Sequence, residues 1–210
     1  MNTFVWSDPH INHVNLAEKY RTSFGGGTVQ SHDAAIREAW NDTVGLNDEV
    51  WLIGDAAMGK RAVSVPFFAT LHGRKHLIPG NHDDVHPMYD KKTNFREKVA
   101  FYSQFFTIHD TIELGDEIFG ISNTIVSHFP WLGSYVDHAE AERGHYDKWH
   151  PERDRYGNDI VIIHGHTHAS EIFGDHSVHV GVDAHPNGPI PVEVLAGYVE
   201  TARQRDAVGQ

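Results

Sequence analysis

Five short polar runs carry the side chains in this sequence that could do chemistry: Asp8 with His10, Asp55, Asn81 with His82, His128, and His166 with His168. All eight are oxygen or imidazole groups, the donors that hard and borderline divalent metals prefer. Two such ions sharing one carboxylate would use seven of them and leave His82 free for proton transfer. Histidine is abundant, at 18 of 210 residues, and cysteine is absent, so nitrogen and oxygen must hold any metal. Taken alone, Gly80-Asn81-His82-Asp83 reads equally well as a hydrogen-bonded turn, since Gly, Asn and Asp are ordinary turn residues. The recurrence of the same pattern elsewhere is what favours a site.

Each run follows an apolar, strand-like stretch. Residues 3–6 lead to Asp8, 49–53 to Gly54-Asp55, 76–79 to Gly80, 123–127 to His128, and 159–163 to His164-Gly165-His166, while 177–182 leads to Asp183. Helical patterns separate the first three strands. They cover 15–21, a stretch capped by Ser31 or Asp33 and running to Thr43 with Ile36, Ala39, Trp40 and Val44 on one face, and 61–71, interrupted by Pro66. Strands joined by such crossovers lie parallel and bring their C-terminal ends to one edge of a sheet, where polar exits meet. From about Phe105 the texture changes, and 111–114, 117–121 and 123–127 read as short strands of a meander. Gly25-Gly26-Gly27 reads as a loop, because no Gly-Lys-Ser/Thr follows it. Residues 129–159 read as a solvated excursion, with a lid over the site as the sharper alternative. A helix over 192–203 closes the chain.

With 40% apolar and 22% charged residues, the chain reads as one soluble globular domain spanning 1–210. A formal net charge of -12 disfavours a nucleic-acid duplex as partner and leaves room for a small phosphorylated ligand. Strand-like residues begin almost at Met1 and no 18-residue apolar run occurs, so the expected location is cytoplasmic, with no membrane partner. His164, His76, His109 and His179 read as packing or supporting residues. Asn12 and His13 lie close enough to Asp8 in sequence to touch a substrate. Arg143, Lys148, Arg153 and Arg155 read as solvated, with one of them a candidate phosphate contact.

In order along the chain, Asp8-Pro9-His10, Gly54-Asp55, Gly80-Asn81-His82-Asp83, His128 in Ser127-His128-Phe129-Pro130, and Gly165-His166-Thr167-His168 resemble the signature of the calcineurin-like metallophosphoesterases. The resemblance covers roughly residues 3–185 and looks most like the small, single-domain bacterial and phage phosphoesterases. It implies an α/β (α+β) fold, a four-layer αββα sandwich of two mixed sheets flanked by helices, with a dinuclear site at the strand ends. It further implies that Asp8, His10 and His168 hold one divalent metal, that Asn81, His128 and His166 hold the other, and that Asp55 bridges them. Manganese is the expected ion, with Fe, Zn, Ni or Mg as alternatives. A metal-bound hydroxide would attack phosphorus while His82 protonates the leaving oxygen. The expected substrate is a small phosphodiester or cyclic nucleotide, with a phosphomonoester as the alternative and a non-catalytic scaffold as the remaining one. Met58 and Gly59 stand where the protein-phosphatase branch carries a second carboxylate and an arginine, so the group that orients His82 has to be sought elsewhere. Asp83 is the candidate.

Overall fold

The computed structural model describes residues 1–22, 24–25, 27–134, 146–157 and 159–208. Among these, in chain order, are β1 (Thr3–Trp6), β2 (Glu49–Leu52), β3 (Arg74–Leu77), β4 (Thr107–Ile108), β5 (Ile112–Leu114), β6 (Thr124–Ser127), β7 (Val161–His164), β8 (Phe173–Gly174), β9 (Ser177–His179) and β10 (Ile190–Pro191). They build two five-stranded sheets, ordered β10-β1-β2-β3-β4 and β5-β6-β7-β9-β8. β1 to β4 run parallel and β10 joins them antiparallel. In the second sheet β6, β7 and β9 run parallel between the antiparallel edges β5 and β8. Both sheets are mixed, as the resemblance implies.

The two-residue period of the strands sorts their side chains into layers. Phe4, Trp6, Val50 and Leu52 pack with Ile36 and Trp40 of α1 (Val29–Thr43), whereas Val5, Trp51 and Ile53 pack with Val126 and Ile163 of the opposite sheet. Trp6, Trp40 and Ile36 are fully buried. Each such side chain contributes about 1.5–3 kcal/mol by leaving water. α1 starts earlier than either expected cap, because Thr28 and Ser31 form a reciprocal capping box at its N-terminus. After α2 (Arg61–Ser64) the chain tightens into a 3-10 stretch, Val65–Thr70, since Pro66 supplies no N–H. The helix expected over 15–21 is a single π-type stretch, Leu16–Tyr20.

α3 (Phe95–Tyr102) precedes β4. The expected strand at 117–121 is incorrect: α4 (Gly115–Phe119) occupies most of it. Gly120 takes a left-handed φ of 68° and its N–H returns to the carbonyl of Asp116, a helix-ending turn that a pleated strand would not make. Ile118 and Phe119 still reach the core, which is why an apolar run there reads as strand. α5 (Val192–Val208) extends past the expected end at 203 and adds Leu195, Val199 and Ala202 to the core between the sheets. Among the described residues no helix is long and apolar enough to cross a membrane.

The sheets are joined where their strands end. The Val182 N–H donates to the Ser7 carbonyl at 3.0 Å, and Ser7 and Gly181 form a parallel bridge from one sheet to the other. All the polar exits therefore open on the same edge.

Candidate metal centre

Two trios of donors converge on that edge. Within Asp8, His10 and His168, and again within Asp55, His128 and His166, one ligand atom of each residue lies within 4.8 Å of the others. Asn81 joins the second trio, its Oδ1 lying 3.1 Å from His128 Nε2 and 3.1 Å from His166 Nδ1. Asp55 Oδ2 stands between the trios, 3.4 Å from His128 Nε2 and 3.5 Å from His10 Nε2. His82 sits at the rim, with Nε2 3.9 Å from the same oxygen and 39% of its side chain exposed. All eight sequence-derived candidates thus meet in one place.

The backbone bends sharply to put them there. Among the described residues nine non-glycine positions have positive φ, and five of these are Asp8, His10, Asp55, His166 and His168. Such conformations cost of order 1–3 kcal/mol each and persist where the surrounding structure enforces them. Gly80 has a different duty. A Cβ at that position would collide with the Asp55 carboxylate and its backbone nitrogen, so only glycine lets the exit of β3 pass so close to that of β2.

Supporting hydrogen bonds aim the imidazoles. His128 donates from Nδ1 to the Ile53 carbonyl at 2.9 Å, which turns Nε2 toward Asp55 and Asn81. His168 donates from Nδ1 to Asp183 Oδ2 at 3.0 Å, leaving Nε2 facing His10. Asp183 is itself held by the buried Arg21, whose Nε donates to Oδ1 at 2.8 Å and whose second nitrogen donates to the Asp8 carbonyl at 2.8 Å. Asp8 Oδ2 accepts from the Ser7 hydroxyl at 2.6 Å and the His166 N–H at 3.0 Å. Asp8 Oδ1, equally buried and facing the trio, has no hydrogen-bond donor among the described residues. An ionised oxygen buried without a donor is costly, and a cation among these ligands would satisfy it.

The electrostatics fit the same occupant. Burial opposes ionisation of Asp8 and Asp55, yet the surrounding imidazoles hold both carboxyls well below the usual range. Burial drives His10 down to about 3 and His166 well below its usual value, so both rings are neutral. For His128 burial is outweighed by the Asp55 and Asp8 charges, which push it up to about 9 and mark where positive charge is favoured. Ionised carboxylates beside the neutral rings of His10 and His166 are the state that a divalent ion requires, and a cation bound there would take the place of the proton that these charges favour on His128.

Asp83 does not orient His82. It is fully buried, and its oxygens accept from the backbone N–H groups of Asp55 at 2.9 Å, Ala56 at 3.1 Å and Gly80 at 2.8 Å, pinning the exits of β2 and β3 together. Burial and the nearby Asp55 charge push its carboxyl up to about 7 against those three donors. His82 is anchored through its main chain, its N–H donating to Asp55 Oδ1 at 2.9 Å. His13 also faces the site, its ring 5.4 Å from that of His10 and 6.4 Å from that of His82.

Sequence reasoning missed Arg21 and gave Asp183 no role in the site. Asp183 carried a signal, a carboxylate at a strand exit, whereas Arg21 lay in an unremarkable helical run. His164 stays outside the donor set, its Nδ1 donating to the Gly165 carbonyl at 2.8 Å. With His179 it lines a cavity of about 180 Å³ on the far side of the 165–168 loop. Arg153 and Arg155 pair with Asp175 at 3.2 Å and Glu152 at 2.6 Å. Arg143 and residues 135–145, on which much of the lid expectation falls, lie outside the described residues.

A family model for calcineurin-like phosphoesterases matches residues 1–189. The Gene 66 protein of Mycobacterium phage L5 is 33% identical over 195 residues, and that of Mycobacterium phage D29 is 31% identical over 190. These alignments cover 87% of this chain in both cases and 87% and 88% of the phage proteins. A protein of unknown function from Aquifex aeolicus, AQ665, shares the fold with a TM-score of 0.61 at 18% identity, covering 93% of this chain and 98% of its own. The chain belongs to the calcineurin-like phosphoesterases, a family of metal-dependent phosphoester hydrolases.

Proposed function

We propose that this calcineurin-like phosphoesterase hydrolyses small phosphodiesters, cyclic nucleotides among them, with two divalent ions, manganese foremost. The observation that carries the reading is Asp55 Oδ2 standing between two donor sets, 3.4 Å and 3.5 Å from their nearest imidazole nitrogens. Asp8, His10 and His168 would hold one ion, Asn81, His128 and His166 the other, and Asp55 both. Bound there, such ions supply Lewis-acid charge for the phosphoryl oxygens and a nucleophilic water at neutral pH.

The chain's own groups do the rest. Asp183 and the Ile53 carbonyl fix the tautomers of His168 and His128, so each ring presents Nε2 to the site. Asp83 keeps the exits of β2 and β3 in register, and with them the spacing between Asp55 and Asn81. His82 Nε2 lies beside Asp55 but is exposed enough to meet substrate, and it hands its proton to the leaving oxygen. The diester preference rests on Arg21. Among the described residues this is the guanidinium bonded to the donor loops, and it is turned inward onto Asp183 and the Asp8 carbonyl, so it does not offer a fork to the extra charge of a monoester.

Turnover of bis-p-nitrophenyl phosphate and p-nitrophenyl phosphate by the Mn²⁺-loaded protein tests this. The expected result is a higher kcat/KM for the diester. A clear monoester preference would replace the reading with a phosphomonoesterase.

A further inference from the structure

The acidic surface is interrupted beside His82. A polar cavity of about 220 Å³ opens there, bordered by Met58, Gly59, Arg61, Asp84, Tyr89 and Lys92 as well as His82 itself. Among the described residues Asp84 is the one carboxylate on its lining, and it is already engaged. Lys98 Nζ, from outside the cavity, lies 2.7 Å from Asp84 Oδ1, and Arg61 reaches Oδ2 only at 3.5 Å. With Lys98 and Asp84 neutralising each other, Arg61 and Lys92 leave the space with an excess of positive charge, in a chain of formal net charge -12. The wall is tied to the donor loop, because the Tyr89 hydroxyl donates to the Asn81 carbonyl at 2.6 Å, and the Lys92 ammonium rests 3.9 Å from the Tyr89 ring centroid.

We propose that this cavity receives the leaving group, and that it selects an alcohol carrying a second anionic group. The inference rests on phosphodiester hydrolysis with His82 as proton donor. In that step water oxygen bonds to phosphorus while the P–O bond to the alcohol breaks. The electron pair departs on the alcohol oxygen, His82 gives that oxygen its proton, and the proton lost by water passes to solvent. The departing group must therefore lie on the His82 side, which is where the cavity is. Its anionic substituent falls among Arg61 and Lys92, while the phosphodiester itself stays over the ligands. Partly exposed charges at contact distance are worth about a factor of ten each.

Two chromogenic esters separate the possibilities: methyl p-nitrophenyl phosphate, and the methyl phosphodiester of 5-hydroxy-2-nitrobenzoate, whose leaving phenol bears a carboxylate. With Mn²⁺-loaded protein the carboxylated ester should show a kcat/KM about tenfold or more higher. The ratio between the two esters should fall toward one in Arg61→Gln with Lys92→Gln. Binding of 5-hydroxy-2-nitrobenzoate, followed by calorimetric titration, should weaken by a similar factor in the same variant. Equal rates on the two esters, or a ratio and an affinity unmoved by the double substitution, would overturn the cavity's role while leaving phosphodiester hydrolysis intact. Hydrolysis of neither ester would instead overturn the function on which the cavity depends.

Discussion

Two histidine clusters invite comparison. At the strand exits, five imidazoles converge with carboxylates and an amide. Elsewhere, His76 of β3 and His109 after β4 meet at 2.9 Å between Nδ1 and Nε2, flanked by Glu49 at 3.9 Å and Glu113 at 3.7 Å. Their residue types are nearly the same, but the second cluster has settled its own needs. Trp51 stacks on His76 at 4.5 Å with 9° between planes and lies 4.3 Å from His109. The rings share their hydrogen bond, and the backbone of neither is left-handed. In the first cluster His10 Nε2 and His168 Nε2 also lie 3.1 Å apart, but among the described residues the buried Oδ1 of Asp8 beside them lacks any donor, and the ligand atoms of the trio all fall within 4.8 Å of one another. Histidine and carboxylate in proximity do not make a metal site. Convergence plus an unmet electrostatic need does.

The largest expected break in this contrast is at Asp55, the proposed shared ligand. Asp55→Asn should lower Mn²⁺-supported kcat by on the order of 10³-fold and reduce bound metal below two per chain, whereas His82→Asn should lose about 10²–10⁴-fold with metal content kept. Elemental analysis beside kinetics reads the difference. Full metal occupancy with unchanged turnover in Asp55→Asn would remove its bridging role. A smaller effect is expected one bond further out, where Asp183→Asn should weaken metal binding by about 10–100-fold, because His168 loses the charged carboxylate that holds its Nδ1 proton. A metal titration that matches the parent protein would mean that the asparagine carbonyl accepts from His168 Nδ1 as well as the carboxylate does.

The smallest effect is expected in the packing cluster. His76→Phe should leave metal content and kcat unchanged but alter the pH dependence of Tm. Burial lowers the pKa of both His76 and His109 below the value of about 6.5 found in unfolded chains. The unfolded chain therefore binds more protons below that pH, and stability present above it is lost as pH falls. Removing one of the two rings should make the decline of Tm between pH 7 and pH 5 shallower. A slope identical to that of the parent would show that these imidazoles titrate alike in both states.

What the sequence made legible was local. Each candidate ligand follows its own strand within a few residues, so Asp8, Asp55, Asn81, His128 and the His166–His168 pair could be read without knowing the fold. The parallel neighbours of the first sheet followed from the same alternation of strand and crossover, whereas the mixed character of both sheets came with the family resemblance. What could not be read depends on partners far apart in the chain. Arg21 and Asp183 are separated by 162 residues and meet only because Val182 bridges to Ser7 across the two sheets. Asp83 looked like a partner for its neighbour His82, but its side chain spans to the exit of β2. The segment 117–121 defeated periodicity because Ile118, Phe119 and Ile121 are apolar in either conformation, and the deciding feature was the turn at Gly120.

The left-handed backbone at Asp8, His10, Asp55, His166 and His168 bears on which replacements are informative. Asn, Asp and His are the non-glycine residues that enter this region most readily, and β-branched residues are genuine outliers there. Ligand chemistry and backbone tolerance thus draw on one small set of amino acids. Asparagine preserves the handedness of the chain while removing the charge, so it separates loss of coordination from loss of folding. Alanine confounds the two by adding conformational strain, and a valine or threonine at these places would report on the backbone before it reported on the metal.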